Sequence, residues 1–226
     1  MDPPARSLVP GTRPVRVLLV LAVVVGSVAI SPYVLLDSGT SRVDVTGGLH
    51  YALLVAHIFT AMTALVLGPL QFVPAIRANR ARHRRIGRAY LLVGVVPSGL
   101  FGIPVALLSD RLVTQIGLLI PAVGWLVTAW LAVRAIRRGD LEAHRSWMTR
   151  NYALTFLAVT ARILVPLMLL VRLPFTGEGL AAAADAVPSV IPIGQVLGWV
   201  VNLVIAEIVI SRRRALPRRR AVKEKL

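Results

Sequence analysis

The chain has 226 residues, 56% of them hydrophobic and 16% charged, with a mean hydropathy of +0.74 and a formal net charge of +16. A soluble domain carries about a quarter charged residues, so this balance excludes an ordinary water-soluble globular protein. The absence of cysteine excludes a disulfide framework and thiolate chemistry.

Six apolar runs, each nearly free of charge, follow one another at 17–36, 51–76, 89–109, 114–136, 151–171 and 189–211. About 20 helical residues cross a ~30 Å hydrocarbon core, and an open sheet would leave backbone groups unpaired in lipid. The expected fold is therefore an all-α integral membrane protein, a six-transmembrane-helix bundle over 17–211 with short connections. A basic tail (1–16) precedes it. A polybasic tail (212–226), expected as a disordered or interfacial end, follows it. The first run shares features with a secretory signal: Arg6, Arg13 and Arg16 lead into it, and "SVAIS" is a small-residue pattern. It continues through "PYVLL", beyond the usual apolar length of a signal, so a retained anchor is expected.

In the second run, His57, Ala61, Ala64, Gly68 and Gln71 share one face at 100° per residue. Small residues let another helix approach closely, with His and Gln as hydrogen-bonding ends. A packing seam with a satisfied histidine and a ligand or cofactor site both fit this face. The next stretch, "ARHRRIGRAY" (81–90), is expected as the cytosolic turn between the second and third spans. In the third run, Gly94, Pro97, Gly99, Gly102 and Pro104 make it the place for a broken helix. Pro121 and Gly124 in the fourth are weaker candidates.

The second basic loop, "GDLEAHRSWMTRN" (139–151), has a plain conformational account. Gly139 ends a helix, Asp140 is a good N-cap, and Trp147 with Met148 anchors the interface. Asp140, Glu142 and His144 could instead ligate a metal, but no second spaced set accompanies them, and no metal is predicted. In the fifth run Asn151, Thr155 and Arg162 share a face. In the sixth, Gln195, Trp199, Asn202 and Ala206 do, with Glu207 about 140° round from Asn202. Helical side chains lean toward their own N-terminus. On helices of opposite direction, Arg162 and Glu207 then lean toward each other, and Arg162 is expected to pair with Glu207 or cap Asn202.

Charge sets the orientation. With the N-terminus inside, the segments 1–16, 77–88, 137–150 and 212–226, with Arg134, hold twenty Arg plus Lys223 and Lys225. The other side holds only Arg42, Arg111 and Arg172. By the positive-inside rule both termini are cytosolic, in a bacterial inner or plasma membrane. The Arg residues sit at span ends, with no separate domain to track phosphates, so nucleic acid is not the expected partner. Anionic lipid headgroups at the cytosolic face are.

The two basic loops also echo each other. Ala75, His83, Arg84, Arg88 and Tyr90 match Ala135, His144, Arg145, Arg150 and Tyr152 at offsets of 60, 61, 61, 62 and 62 residues. A parallel repeat of helical hairpins, about 60 residues long, would make His83 and His144 neighbours.

The stretches "GPLQFVPAIRANRARHRRIGRAYLL" (68–92), "GDLEAHRSWMTRNYALTFLAVTARILVP" (139–166) and "WVVNLVIAE" (199–207) resemble the bacterial membrane-protein family called domain of unknown function 2306. The resemblance covers about residues 50–211 and rests on Gly-Pro-x-Gln-Phe, His-Arg-x-x-Gly-Arg, His-Arg-x-Trp-Met-x-Arg and Asn-Leu-x-x-x-Glu in order. Ala161 stands before Arg162 where the family pattern has Leu. The resemblance implies the membrane fold and no mechanism.

Function then divides into three classes. A small transporter-like or channel-like protein would use the repeat and the intramembrane polar residues. A scaffold or sensor would use the basic loops. A haem-b redox protein is the alternative, but His57 has only His50 near it, on the same helix, and His83 with His144 lies in the loops; no cofactor is predicted. No span carries paired carboxylates or a nucleophile beside a histidine, so hydrolase chemistry has little support. The expected polar site lies in the cytosolic half: Gln71, His83, Arg88, His144, Arg150, Arg162, Asn202 and Glu207, with His57 separate.

Overall fold

Within lipid a segment must satisfy its own backbone N–H and C=O groups, and each apolar run does so as a helix. The structure, a computed structural model, describes residues 12–176 and 185–223, with side chains over 13–175 and 185–215. The start of the basic N-terminal tail (1–11) and the side chains of the polybasic tail from 216 onward lie outside the described residues. The helices are α1 (Thr12–Ile30), α2 (Gly48–Leu70), the short α3 (Pro74–Ala78) and α4 (Arg80–Ala89). A π-helical segment (Tyr90–Val95) then leads into α5 (Val96–Leu107), followed by α6 (Leu112–Arg137), α7 (Leu141–Thr155), α8 (Leu157–Thr176) and α9 (Val187–Lys223). Six stretches among the described residues are long and apolar enough to cross a membrane: Arg13–Tyr33, Gly48–Leu70, Arg80–Leu107, Leu112–Arg137, Leu157–Phe175 and Val187–Ala215.

Two expected boundaries move, and both moves have local causes. The second span stops at Leu70, not 76: Pro69 occupies its last turn, Gln71 caps it and Pro74 starts a new short helix. The basic stretch expected as a turn is helix α4, continuous with the third span. Asn79 caps it through its side-chain oxygen, which accepts the Arg82 N–H at 3.0 Å. Arg and Ala are strong helix formers, and the helix needs no apolar sequence once capped. Its face of His83, Ile86 and Gly87 is half-buried, while Arg80, Arg82, Arg84, Arg85 and Arg88 are exposed. The same propensity carries α9 through the basic run to Lys223, where a disordered or interfacial tail was expected.

The second basic loop follows its sequence more closely. Gly139 takes φ +77°, the left-handed value that ends a helix without Cβ strain. Asp140 then caps α7, accepting the Ala143 N–H at 2.8 Å.

Packing runs α1 on α2, α2 on the π segment and α5, α5 on α6, α6 on α7, and α8 on α9, with a lighter contact of α1 to α8. The buried centre is Ala64, Tyr90, Val95, Trp125, Ala129, Tyr152 and Leu154. Around it, large apolar residues such as Val20, Leu92, Leu100, Ile116 and Ile205 are exposed, the outer surface expected against lipid tails. Arg77 of α3, the arginines of α4, the end of α6, the arginines of α7 and the end of α9 form the basic end of the bundle. At the opposite end residues 31–46 fold over α1 in two short turns, Ser31–Tyr33 and Ser38–Thr40.

Helix approach is closest where α2 meets the π segment. A Cβ at Gly94 would stand 2.8 Å from the Ala64 Cβ and 2.9 Å from its Cα, backbone that cannot give way. Gly94→Ala should therefore lower the unfolding temperature in detergent, at an overpacking cost of about 1–3 kcal/mol. Gly48→Ala, where nothing lies within 4 Å, should leave it unchanged.

Candidate functional site

Polar side chains gather at three levels: the basic end, a buried node in mid-bundle, and a cavity toward the opposite end. The basic end is assembled by the starts of α4 and α7 and the ends of α2 and α9. His83, on α4, has its Nδ1 buried without a partner among the described residues. His144 Nδ1–H donates to the Ala132 carbonyl at 2.9 Å, which orients the ring and leaves Nε2 as its acceptor. Gln71 lies against Gly87, with its Nε2 likewise buried and unpartnered. Arg213 donates to Thr149 Oγ1 at 3.1 Å, within the field of Arg77 and Arg145. Arg88 is exposed and joins no hydrogen bond or ion pair among the described residues.

The expected Arg162–Glu207 pair does not form. Glu207 instead takes Arg150 in a two-pronged ion pair, Nε to Oε1 at 2.5 Å and Nη2 to Oε2 at 2.9 Å. The Arg150 guanidinium also lies over the Trp147 ring, 4.5 Å from its centroid. Nor does Arg162 cap Asn202, which accepts from Thr160 Oγ1 at 2.9 Å and donates to the Ala153 carbonyl at 3.0 Å. The physical reason is reach. Arg162 lies 12 residues beyond Arg150, about 18 Å along a helix, and Arg150 stands at the level of Glu207. Arg162 does lean toward its N-terminus, but only by one turn, donating from Nη1 to the Ala158 carbonyl at 2.8 Å.

The node is centred on Asn151, fully buried on α7. Its Oδ1 accepts the Tyr90 hydroxyl at 2.6 Å, and its Nδ2 donates to the Trp125 carbonyl at 2.8 Å and to Thr128 Oγ1 at 2.9 Å. Thr155 Oγ1 lies 2.8 Å from the Tyr90 hydroxyl, accepts the Trp125 indole N–H at 2.9 Å and donates to the Asn151 carbonyl at 3.0 Å. Two of the three helices that supply it are irregular there. Tyr90 opens the π segment, and α7 stops at Thr155 before α8 resumes at Leu157. π-turns are frequent at functional sites because the extra residue re-aims a side chain.

Beyond Thr155 lies a cavity of about 120 Å³ bounded by α1, α2, α6, α7 and α8, level with the last turns of α1. Its polar lining is His57, Trp125, Thr155 and Arg162; Val25, Met62 and Leu65 are among its apolar walls. His57 Nδ1–H donates to the Ser98 carbonyl at 2.9 Å, with Ser98 Oγ 3.1 Å away, while that hydroxyl also reaches the His57 carbonyl at 3.1 Å. Gly102 permits this approach, since a Cβ there would stand 2.8 Å from the ring nitrogen. The ring is thereby fixed with Nε2 as its acceptor. Among the described residues no group of three or more His, Asp or Glu converges as a metal set.

The structure thus divides the predicted residues. Gln71, His83 and His144 lie at the basic end; Arg150 and Glu207 form one ion pair; Asn202 joins α9 to α7 and α8. Arg162 leaves that group for the cavity of His57. Tyr90, Ser98, Trp125, Thr128 and Thr155 were not in the predicted set. Tyr90 carried a signal, its place in the repeat, whereas a lone Ser, Thr or Trp in an apolar run is indistinguishable from packing.

The family described as "Predicted membrane protein (DUF2306)" matches residues 54–210. No curated protein and no solved structure matches the chain.

Removing the hub of the node should cost more than removing the visible ion pair. Asn151→Ala strands buried groups of Tyr90, Thr128 and Trp125, a loss of about 1–3 kcal/mol. Arg150→Gln breaks a pair whose carboxylate is half exposed, a loss below about 1 kcal/mol. Unfolding in detergent followed by tryptophan fluorescence should rank them in that order.

Proposed function

Because this chain belongs to the DUF2306 family of predicted membrane proteins, a family described without an activity, we propose its function from its own side chains: a small transporter-like protein with a solute site at the node and cavity. The observation that carries this is the coincidence of two helix irregularities with one buried polar node that opens onto an internal cavity. Discontinuous helices near mid-membrane are the usual way a transporter builds a site and a moving joint. Polar and ionisable groups there are costly to keep, and they mark solute or proton pathways.

Other contacts support a path continuing to the basic end. The Tyr152 hydroxyl, next to the node residue Asn151 in sequence, and Gln71 Nε2, at the basic end, are buried without partners among the described residues. Orphaned polar atoms in a bundle interior are tolerated where water or solute passes. The hairpin repeat has support in the caps: Asn79 and Asp140 each cap a helix whose fourth residue is a histidine, His83 or His144. Two like hairpins could rock against each other about the node.

The wider reading keeps both termini in the cytosol of a bacterial inner or plasma membrane, with the exposed Arg rim against anionic headgroups. A scaffold or sensor would need the rim but no mid-bundle node. Haem b, the alternative, would need a second axial ligand facing His57. His50 is on the same helix, its Nδ1 accepting the Thr46 N–H at 3.2 Å.

The chain has no cysteine, so single cysteines report access without background. Ala61 lines the cavity. In a transporter-like protein, Ala61→Cys should react with a membrane-impermeant thiol reagent from the outer face of cells and from the inner face of inverted vesicles. Reaction from neither face, or from one alone, would remove the transport reading. A tag at either terminus should be cleaved by protease only in inverted vesicles; cleavage of one tag in intact cells would overturn the orientation.

A further inference from the structure

Arg162 sets a problem that neither the node nor the basic end resolves. It is a permanent cation in a membrane-spanning helix, and its one hydrogen bond among the described residues goes to the Ala158 carbonyl. No carboxylate among the described residues meets it. A second cation is brought close. The fold of residues 31–46 carries Arg42 back over α1, where its Nη1 donates to the Val28 carbonyl at 3.3 Å and its backbone N–H to the Tyr33 hydroxyl at 3.2 Å. Val28 immediately precedes Ala29 and Ile30 of the cavity wall, so Arg42 is held at the α1 end of the cavity that Arg162 also lines. Arg42 also meets no carboxylate among the described residues. A cation in the cavity wall with no carboxylate, and a second cation held at the same end of α1, call for an anion.

The walls decide what kind of anion. Val25, Ile30, Ile58, Met62 and Leu65 are apolar and continue inward from Arg162 toward His57. A small hydrated anion gains nothing from them, whereas an acyl chain does. Access fits as well: α1 touches α8 only lightly, and Arg162 is exposed at the surface of the chain, so a molecule resident in the bilayer can reach it from the side. Each guanidinium has spent one N–H on a backbone carbonyl and keeps the rest of its planar fork, which matches carboxylate and phosphate oxygens.

We infer that the His57–Arg162 cavity is a binding site for an anionic amphiphile, a carboxylate or phosphate head held by Arg162 with Arg42 nearby, part of its acyl chain in the cavity and the rest in the surrounding lipid. This deepens the transporter-like reading and rests on it for the cavity being a ligand site.

Trp125 lines the cavity, and the other three tryptophans, Trp130, Trp147 and Trp199, do not. In a background with those three changed to Phe, the full chain in detergent should show saturable quenching of Trp125 by stearic acid brominated at mid-chain. The corresponding brominated alcohol should give no saturable quenching. Arg162→Gln should raise the half-saturating concentration about tenfold or more, Arg42→Gln by less, and Arg162→Lys should fall between wild type and Gln. Arg162→Gln should also raise the unfolding temperature of the ligand-free protein, because it removes an uncompensated charge; a structural arginine would give the opposite shift. Equal quenching by acid and alcohol, or quenching indifferent to Arg162, would overturn the inference. Inorganic phosphate competing at comparable concentration would overturn the acyl-chain requirement and leave a free-anion site, while competition by anionic phospholipid alone supports a headgroup source. Two-sided labelling at Ala61→Cys without acid-selective quenching would sink the ligand class and spare transport. Acid-selective quenching without two-sided labelling would do the reverse.

Discussion

Asn151 holds the middle of this bundle to one geometry. Its carboxamide has one acceptor oxygen and two N–H donors, and all of them are used, toward Tyr90, the Trp125 carbonyl and Thr128. Between apolar helices surrounded by lipid there is no hydrophobic gain to choose among rotations and registers, because tails and side chains are equally apolar. A fully satisfied polar hub supplies that choice. It ties α7 to α6 and to the π segment, and sets which residue of each helix faces inward.

The irregular backbone around the hub is a consequence. For Tyr90 to bring its hydroxyl to Asn151 while Gly94 lies flush against Ala64, the third span has to take up a residue, and it does so as a π-turn. The break after Thr155 likewise lets Thr155 face the node while α8 turns Arg162 toward the cavity. Thr155 belongs to both places, so a change in one is felt in the other.

The charges separate into two populations with different physics. At the basic end, Arg150 with Glu207 and Arg214 with Glu142 are paired and partly exposed, and they orient helices at modest energetic value. At the opposite end Arg42 and Arg162 each donate to a backbone carbonyl and meet no carboxylate among the described residues. The basic end holds most of the net charge, exposed to water and headgroups, whereas Arg162 is a cation within a span.

Much of the architecture was legible in the residues. Apolar run length determined six spans, because a helix must cross a fixed thickness with its backbone satisfied. Asp140 and Gly139 announced the start of α7, since capping is a local matter of one side chain and one dihedral. What local chemistry could not decide was partner choice. Arg162 and Glu207 looked complementary by lean, yet Arg150 is nearer, and depth along two helices depends on tilt, on the π-turn and on the break at Phe156. The node was only partly visible: Asn151 and Thr155 share a face and Tyr90 stands in the repeat, but Trp125 and Thr128 in an apolar run look like packing until three helices bring them together. By itself the sequence determined a six-span helical protein with its charge on one side. Only the tertiary structure decided which polar groups share a site, because burial and pairing are properties of helix register and not of residue order.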